Sequence, residues 1–269
     1  MRYEEKRKHT DIASAPLVSI VTPQYNAAAF IEHTLESILA QTHTNWELLV
    51  VDDGSTDSGA EIVSRYADSD SRIRLHRLVR NYGAAHCRNL ATEMATGDFI
   101  AFCDADDIWA PAKLEKQLAF MAETGCDVSF SNYLHIDAEG RSLNRRVRAL
   151  PRLNYHKQLK NNYIGNLTGI YNANVVGKIE APQLRKRQDW AIWLEAIRRS
   201  DVPALGLQED LAFYRVHDSS MSANKWRLVK YNYLFYRRHL GYSFLKAVYY
   251  LLLFFWEYFM VRPRYIERL

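Results

Sequence analysis

The chain has 269 residues, 48% hydrophobic and 25% charged, an ordinary globular composition for one sizeable α/β domain or one domain with a substantial appendage. Its formal net charge is only +4, and no nucleic-acid partner is expected, but the charge is uneven: residues 222–269 hold nine Lys/Arg against Glu257 and Glu267, so that +7 there leaves −3 elsewhere. Cys87, Cys103 and Cys126 are far apart, with no CxxC pair and no neighbouring histidine cluster. That spacing argues against a zinc site or a disulfide framework and fits a reducing cytoplasm.

The N-terminal stretch MRYEEKRKHTDIASA is charged and lacks an apolar signal region, so residues 1–15 read as a disordered lead-in. From Pro16 short β-branched runs alternate with amphipathic stretches. LVSIVTP (17–23) reads as a strand, followed by a helix with Ile31, Leu35 and Ile38 on one face. WELLVV (46–51) reads as a buried strand, GAEIVSRYA as a helix, IRLHRL as a strand, AAHCRNLATEMA as a helix and DFIAFC as a strand. Strands separated by such helices predict a Rossmann-like, mostly parallel central sheet flanked by helices, with right-handed crossovers.

In such sheets ligands bind beyond the carboxyl ends of the strands. PQYN follows the first strand, DDGSTD the second and DADD the fourth, so these motifs should converge on one crevice. Pro111 is expected in the first turn of the helix PAKLEKQLAFMAET. Beyond it the pattern is less regular: CDVSFSNYLHI reads as a strand running into a turn at Gly140, NLTGIYN as a further strand, and QDWAIWLEAIRR as a helix. Residues 16–124 form the expected half that carries the strand-end motifs, and 125–220 the half receiving the second substrate. Residues 221–269 form a basic, aromatic-rich helical C-terminal extension.

In that extension only 15 residues separate Lys246 from Arg262, and Glu257 interrupts them. A membrane span needs about 20 mostly apolar residues, so a transmembrane helix is not expected. Basic residues ahead of an aromatic-rich apolar stretch suit a helix lying on an anionic membrane face. A helix packed on its own domain, or on another subunit as in a homodimer, is the equal alternative.

Asp104, Asp106 and Asp107 crowd the end of an apolar strand. Two unit charges about 4 Å apart repel by roughly 4 kcal/mol at an effective dielectric near 20, so a cation is expected among them. The acids could instead simply end the strand and prepare the next helix. A hard divalent cation, Mg²⁺ or Mn²⁺, completed by substrate phosphates and water, would take Asp106 as ligand, with Asp104 placed for a ribose. In VVDDGSTD, Gly54 makes a turn and Ser55 or Thr56 caps the next helix, which leaves Asp52 and Asp53 to explain. A carboxylate there can accept from the imide of uracil.

In NYGAAHCRN, Gly83 permits a tight turn and Arg88 is placed to contact a diphosphate. In RKRQDWAIWLE, Asp189 reads either as a first-turn acid favoured by the helix dipole or as a general base, and Trp190 either as core or as a surface on which an acceptor stacks. His217 in YRVHDSS reads equally as a satisfied loop histidine or a metal ligand.

In their order, VSIVTPQYNAAAF, WELLVVDDGSTD, NYGAAHCRNLATEMATGDFIAFCDADDIWAP and RQDWAIWLEA together resemble the family 2 glycosyltransferases of the GT-A fold, over nearly all of residues 16–220. The resemblance implies inverting, metal-dependent transfer of one sugar from a nucleoside diphosphate sugar, commonly a UDP-sugar. It places Tyr25 and Asp53 at the base, Asp104 at the ribose, Asp106 at the metal and Asp189 as the base that deprotonates the acceptor. Pro23, Asn26, Asn81, Gly83 and Arg88 fall in the implied donor site. Where the family often has Glu-Asp, this chain has Gln188-Asp189. The absence of a Gln-x-x-Arg-Trp motif favours single addition over polymerisation.

NNYIGNLTGIYN, LRKRQDWAIWL and SSMSANKW are further similar to bacterial transferases of teichuronic acid, capsular and O-antigen assembly. That similarity implies a polyprenyl-diphosphate-linked glycan acceptor and a cytoplasmic enzyme, peripheral at the inner face of the cytoplasmic membrane. A sugar nucleotidyltransferase would show a Gly-rich basic loop after the first strand, which PQYNAAAF lacks. A Walker-type phosphate loop is likewise missing around Gly177-Lys178. A catalytically inactive assembly subunit would have no need of Asp53, Asp104, Asp106 and Asp189.

Overall fold

The computed structural model describes residues 15–217 and 225–269, with side chains from 229 onward in the second segment. The expected lead-in, but for Ala15, and most of SSMSANKW lie outside the described residues. The first half follows the periodicity: β1 (Val18–Gln24), α1 (Ile31–Leu39), β2 (Trp46–Asp52), α2 (Gly59–Ser69), β3 (Ile73–Arg77), α3 (Ala84–Met94) and β4 (Phe99–Phe102). These strands are parallel in the order β3-β2-β1-β4, with β1 registered from Val18↔Trp46 to Gln24↔Asp52 on β2 and Val18↔Phe99 to Val21↔Phe102 on β4. All of β2 is buried, as a central strand covered on both faces requires, and Ile31, Leu35 and Ile38 of α1 are fully buried against the sheet. Strand order reverses between β1 and β4, so the crevice opens beyond Gln24 and Phe102.

The second half is mixed. β5 (Ile108–Trp109), α4 (Lys113–Thr124), β6 (Val128–Ile136), β7 (Ser142–Val147), β8 (Arg152–Leu153), α5 (Tyr155–Gln158), β9 (Ile170–Asn172), α6 (Ala173–Val176), α7 (Gln188–Arg199) and β10 (Ala204–Arg215) follow. β9 runs antiparallel between β4 and β6, and β7 pairs antiparallel with β6 around the Gly140 turn. β10 runs parallel to β6 with register shifts around Asp210 and ends at Arg215, beside the acidic loop.

Three expectations change. Pro111 is not in the first turn of α4: its carbonyl accepts the Thr42 N–H, the cap is Ala112, and α4 starts at Lys113. Only the latter part of NLTGIYN is a strand, because Asn166–Thr168 form a 3-10 turn. Gly169 separates the two, where a Cβ would overlap the Trp193 ring. Residues 204–215, to which the sequence pattern assigned no element, form the strand β10.

The C-terminal segment forms α8 (Lys225–Leu234), α9 (Phe244–Trp256) and β11 (Ile266–Arg268). Helical turns continue from α9 to Tyr265, giving 22 residues, long and apolar enough by length and composition to cross a membrane. The count of 15 fell short because the helix runs through both Lys246 and Arg262. In the fold, Ala247, Phe254 and Glu257 on one side are buried against the domain, and β11 pairs antiparallel with β7.

Cys87, Cys103 and Cys126 are free and buried. Lys113 is fully buried: its Nζ donates to Gln117 Oε1 at 2.6 Å and sits 4.1 Å over the Trp109 ring. Burial pushes its pKa from 10.5 down to about 7. Below pH 7 folded and unfolded chains both carry the proton and the cost of burying the charge is fully present. Between pH 7 and 10.5 only the unfolded chain keeps it, so stability rises with pH. Lys113→Met is expected to raise the urea midpoint at pH 6.5 and to flatten the rise in stability between pH 7 and 9.

Candidate active site

The loops beyond β1 and β2 are latched together. Asn26 adopts a left-handed backbone (φ 48°), its N–H donates to Ser55 Oγ at 2.9 Å, and its Oδ1 accepts the Thr56 N–H at 2.8 Å. Pro23 lies near the end of β1, and Tyr25, just past it, is 50% exposed, a free ring face at the mouth of the crevice. Asp52 is spent within the loop, accepting from the Ser55 N–H, the Ser55 hydroxyl and Gln24 Nε2. Asp53 is 3% exposed and accepts the N–H groups of Tyr82 at 2.7 Å and Gly83 at 2.9 Å. Asp53 thereby fixes the loop carrying exposed Asn81 and the left-handed Gly83 (φ 94°), while each oxygen keeps capacity for another donor.

The acids after β4 have different partners. Asp104 Oδ1 accepts from Arg88 Nη2 at 2.6 Å and from Asn166 Nδ2 at 3.2 Å. Asp106 Oδ2 lies 2.9 Å from His217 Nε2, whose ring also packs on Phe30. Asp107, 2% exposed, accepts the Arg215 N–H at 3.2 Å. Burial and then the Asp104 charge raise the pKa of Asp106, despite His217. Asp107 is raised well above the usual carboxylate range by burial and by its two acidic neighbours. Carboxylates crowded and buried in this way are the condition that a divalent cation relieves. Among the described residues no group of three or more His, Cys, Asp or Glu is disposed to hold a metal alone. A hard cation at Asp106, with His217 beside it, would draw its remaining oxygen ligands from a substrate, which fits this donor set.

Asp189 sits in the first turn of α7, and its Oδ2 accepts from Asn162 Nδ2 at 2.7 Å. Gln188 uses both ends of its amide: Oε1 accepts from Arg88 Nη1 at 2.8 Å, and Nε2 donates to the Leu184 carbonyl. A neutral Gln at this position leaves Asp104 as the carboxylate bonded to Arg88. Arg88 is 8% exposed and bridges Asp104 to α7, so the structure gives it a carboxylate and an amide where a diphosphate contact was expected.

Trp190 must be reassigned. It is fully buried, donates from Nε1 to the Gln158 carbonyl at 2.7 Å and stacks on Phe235 with ring centroids 4.4 Å apart. No acceptor can stack on it, because the C-terminal segment already covers it.

Three contributors escaped the sequence reading. Asn162 and Asn166 hold Asp189 and Asp104, and NNYIGN gave no signal beyond its amide density. Arg215 is 1% exposed; besides its N–H to Asp107, its Nε donates to the Asp106 carbonyl and Nη1 to the Ala138 carbonyl. A basic residue two positions before His217 was the available clue.

Crowded carboxylates at the mouth of a parallel sheet, beside its point of reversal, are the mark of a nucleotide-binding α/β protein. The comparisons narrow that class. Residues 19–181 match the family described as Glycosyl transferase family 2, and the chain belongs to that family. It is 43% identical over 232 residues to TuaG of Bacillus subtilis, a glycosyltransferase assigned to teichuronic acid biosynthesis, covering 86% of this chain and 92% of that one. It is 38% identical over 216 residues to the Escherichia coli UDP-Glc:alpha-D-GlcNAc-diphosphoundecaprenol beta-1,3-glucosyltransferase WfgD, covering 80% and 83%. Staphylococcus aureus TarS 1-349 with UDP-GlcNAc superposes with a TM-score of 0.71 at 21% identity, over 93% of this chain and 74% of that one. Mannosyltransferase PcManGT of Pyrobaculum calidifontis, with GDP-Man and Mn²⁺, gives 0.66 at 19%, over 89% and 70%. The fold is GT-A and the protein is a glycosyltransferase.

Trp190→Ala is expected to cost about 3–5 kcal/mol of stability, measured by urea unfolding, while the protein that remains folded keeps its donor affinity.

Proposed function

We propose that the enzyme moves a single sugar, with inversion, from a UDP-sugar to a hydroxyl of a lipid-linked glycan in bacterial cell-surface polysaccharide assembly. The observation that carries this reading is the bonded path Asp104–Arg88–Gln188, which sets the donor-side acids and Asp189 around one crevice. In it Tyr25 offers its exposed ring to the base, Asp53 accepts from the base imide, and Asp104 accepts from the ribose. Pro23, Asn26, Asn81 and Gly83 shape the loops on which these side chains sit. Asp189 takes the proton of the acceptor hydroxyl as it attacks the anomeric carbon from the face opposite the diphosphate. Mn²⁺ or Mg²⁺ at Asp106, with His217, supplies Lewis-acid stabilisation of the departing diphosphate. The UDP-GlcNAc bound to TarS and the undecaprenyl-diphosphate acceptor in the name of WfgD support the donor and acceptor classes.

The C-terminal helix supports a peripheral position on the inner face of the cytoplasmic membrane. Leu245, Leu252, Trp256 and Phe259, spaced at helical intervals, are each more than 60% exposed. Arg237, Arg238, Lys246 and Arg264 are exposed near its ends. Its one acid, Glu257, is buried against Lys157, and Glu267 of β11 pairs with Arg146 and Arg148. Two copies meeting on this face would oppose like charges, whereas an anionic leaflet complements it.

Asp106→Ala is expected to abolish Mn²⁺-dependent UDP binding in calorimetry. Asp189→Ala is expected to lose about 10²–10⁴-fold in turnover while keeping donor affinity; full activity in that variant would remove Asp189 from the base role. In co-sedimentation, the protein should bind phosphatidylglycerol vesicles better than phosphatidylcholine vesicles, and Leu252→Glu with Trp256→Glu should release it. A stable dimer that these same substitutions dissociate would assign the face to a second copy instead.

A further inference from the structure

We infer that Asn162 positions the Asp189 carboxylate, and that the C-terminal helix, through Arg262 and Glu257, sets Asn162; the inference rests on the reading of Asp189 as the base. Three sets of contacts carry it.

The first is at Asp189 itself. Asn162 Nδ2 occupies Oδ2 at 2.7 Å, while Oδ1 accepts no hydrogen bond among the described residues and keeps its lone pairs for an acceptor hydroxyl. The amide cannot turn over freely, because Asn162 Oδ1 accepts from Gln158 Nε2 at 2.8 Å. Gln158 is in turn fully buried, with its Oε1 on the Tyr163 N–H and its carbonyl on Trp190 Nε1. The donor facing Asp189 is therefore fixed from behind.

The second set joins this segment to the C-terminal helix. Arg262 Nη1 donates to Asn161 Oδ1 at 3.0 Å and to the Asn162 carbonyl. Glu257, 4% exposed, accepts from Lys157 Nζ at 2.7 Å and from the Tyr163 hydroxyl. Residues 157–163 are thus gripped on one side by Glu257 and Arg262 and present Asn162 to Asp189 on the other.

The third is the packing of the same helix on α7. Phe254 packs tilted against Trp190, the residue after Asp189, with ring centroids 5.8 Å apart, and in the turn that precedes the helix the Tyr236 hydroxyl donates to the Leu159 carbonyl. The helix that exposes an apolar face outward is bonded inward to the residue next to the base. Any surface that seats the helix bears on the acceptor side of the crevice and leaves the donor-side latch of Asn26, Ser55 and Thr56 alone.

A base held about 1 Å from its productive position can lose ~10²-fold in rate. Asn162→Ala is expected to lower kcat by about ten- to a hundredfold with UDP-sugar affinity and its metal dependence unchanged. The near-isosteric Asn162→Asp, which replaces the donor by a like charge, should lose at least as much and guards against a packing artefact. Arg262→Ala should lower kcat less, and the double variant with Asn162→Ala should be no slower than Asn162→Ala alone, since both act through one amide. In the Asp189→Ala background, Asn162→Ala should change nothing further.

Independent, multiplying losses from Asn162 and Arg262 would show that the helix does not act through Asn162. Wild-type kcat in Asn162→Ala and Asn162→Asp, with Asp189→Ala inactive, would overturn the positioning role and leave the base assignment standing. Full activity in Asp189→Ala would overturn both.

Discussion

The structure turns on a buried guanidinium. Arg88, on α3, sits almost out of solvent between Asp104, at the end of the β4 strand, and Gln188, at the start of α7. Desolvating such a group costs several kcal/mol, and only well-made partners offset it. Burial works against its charge, yet Asp104, through its charge and hydrogen bond, together with the charge of Asp189 holds the Arg88 pKa above its ordinary value. The consequence is geometric: α3, the acidic loop and the first turn of α7, which carries Asp189, are held to one another by a single side chain. Its Nε has no hydrogen-bond partner among the described residues, so Nη1 and Nη2 alone make the bridge.

The acidic loop shows how three neighbouring carboxylates avoid doing the same thing. Asp104 is paired with Arg88, Asp106 with His217, and Asp107 is turned inward to the Arg215 backbone. The first half of α3 and the end of β10 therefore supply the compensation. Arg215 is central to this division because its side chain takes the carbonyls of Asp106 and Ala138 while its N–H takes Asp107. Two of the three stay undercompensated: burial and the Asp104 charge keep the Asp106 pKa raised even with the imidazole beside it, and burial with both acidic neighbours lifts Asp107 well above the usual carboxylate range.

The first half of the fold was legible because its signals are local. Each strand from β1 to β4 is a short apolar run, each helix has its own period, and parallel order follows from the crossovers. The second half depends on pairing that a local pattern does not carry: β5 and β8 are two residues each, β9 is three, and β10 slips register at Asp210. The site divides in the same way. Acids at strand ends could be read from their positions, whereas their partners lie far off in sequence, with Asn162 27 residues from Asp189 and Arg215 108 from Asp107. Trp190 was ambiguous for a related reason. Residues 190–194 of α7 are all buried, so periodicity alone could not say which tryptophan faced a substrate, and the segment that covers Trp190 begins some forty residues later.

Glu257 carries the last step. In the sequence it reads as a charge interrupting an apolar run; in the fold it is the side chain that decides which way the helix faces. Buried against Lys157 and the Tyr163 hydroxyl, it orients one face of the helix to the domain, and burial, with the hydrogen bond to Glu257 and its charge, pushes the Tyr163 hydroxyl far above its ordinary pKa. The opposite face is then left with leucine, tryptophan and phenylalanine in water. Removing the acid from the outer face is what makes that face uniformly apolar with a basic fringe. The same burial places Arg262, just over one turn further on, against Asn161 and Asn162. One acid thus fixes both the surface that the helix presents outward and the amide that it holds inward, so the two cannot be adjusted separately.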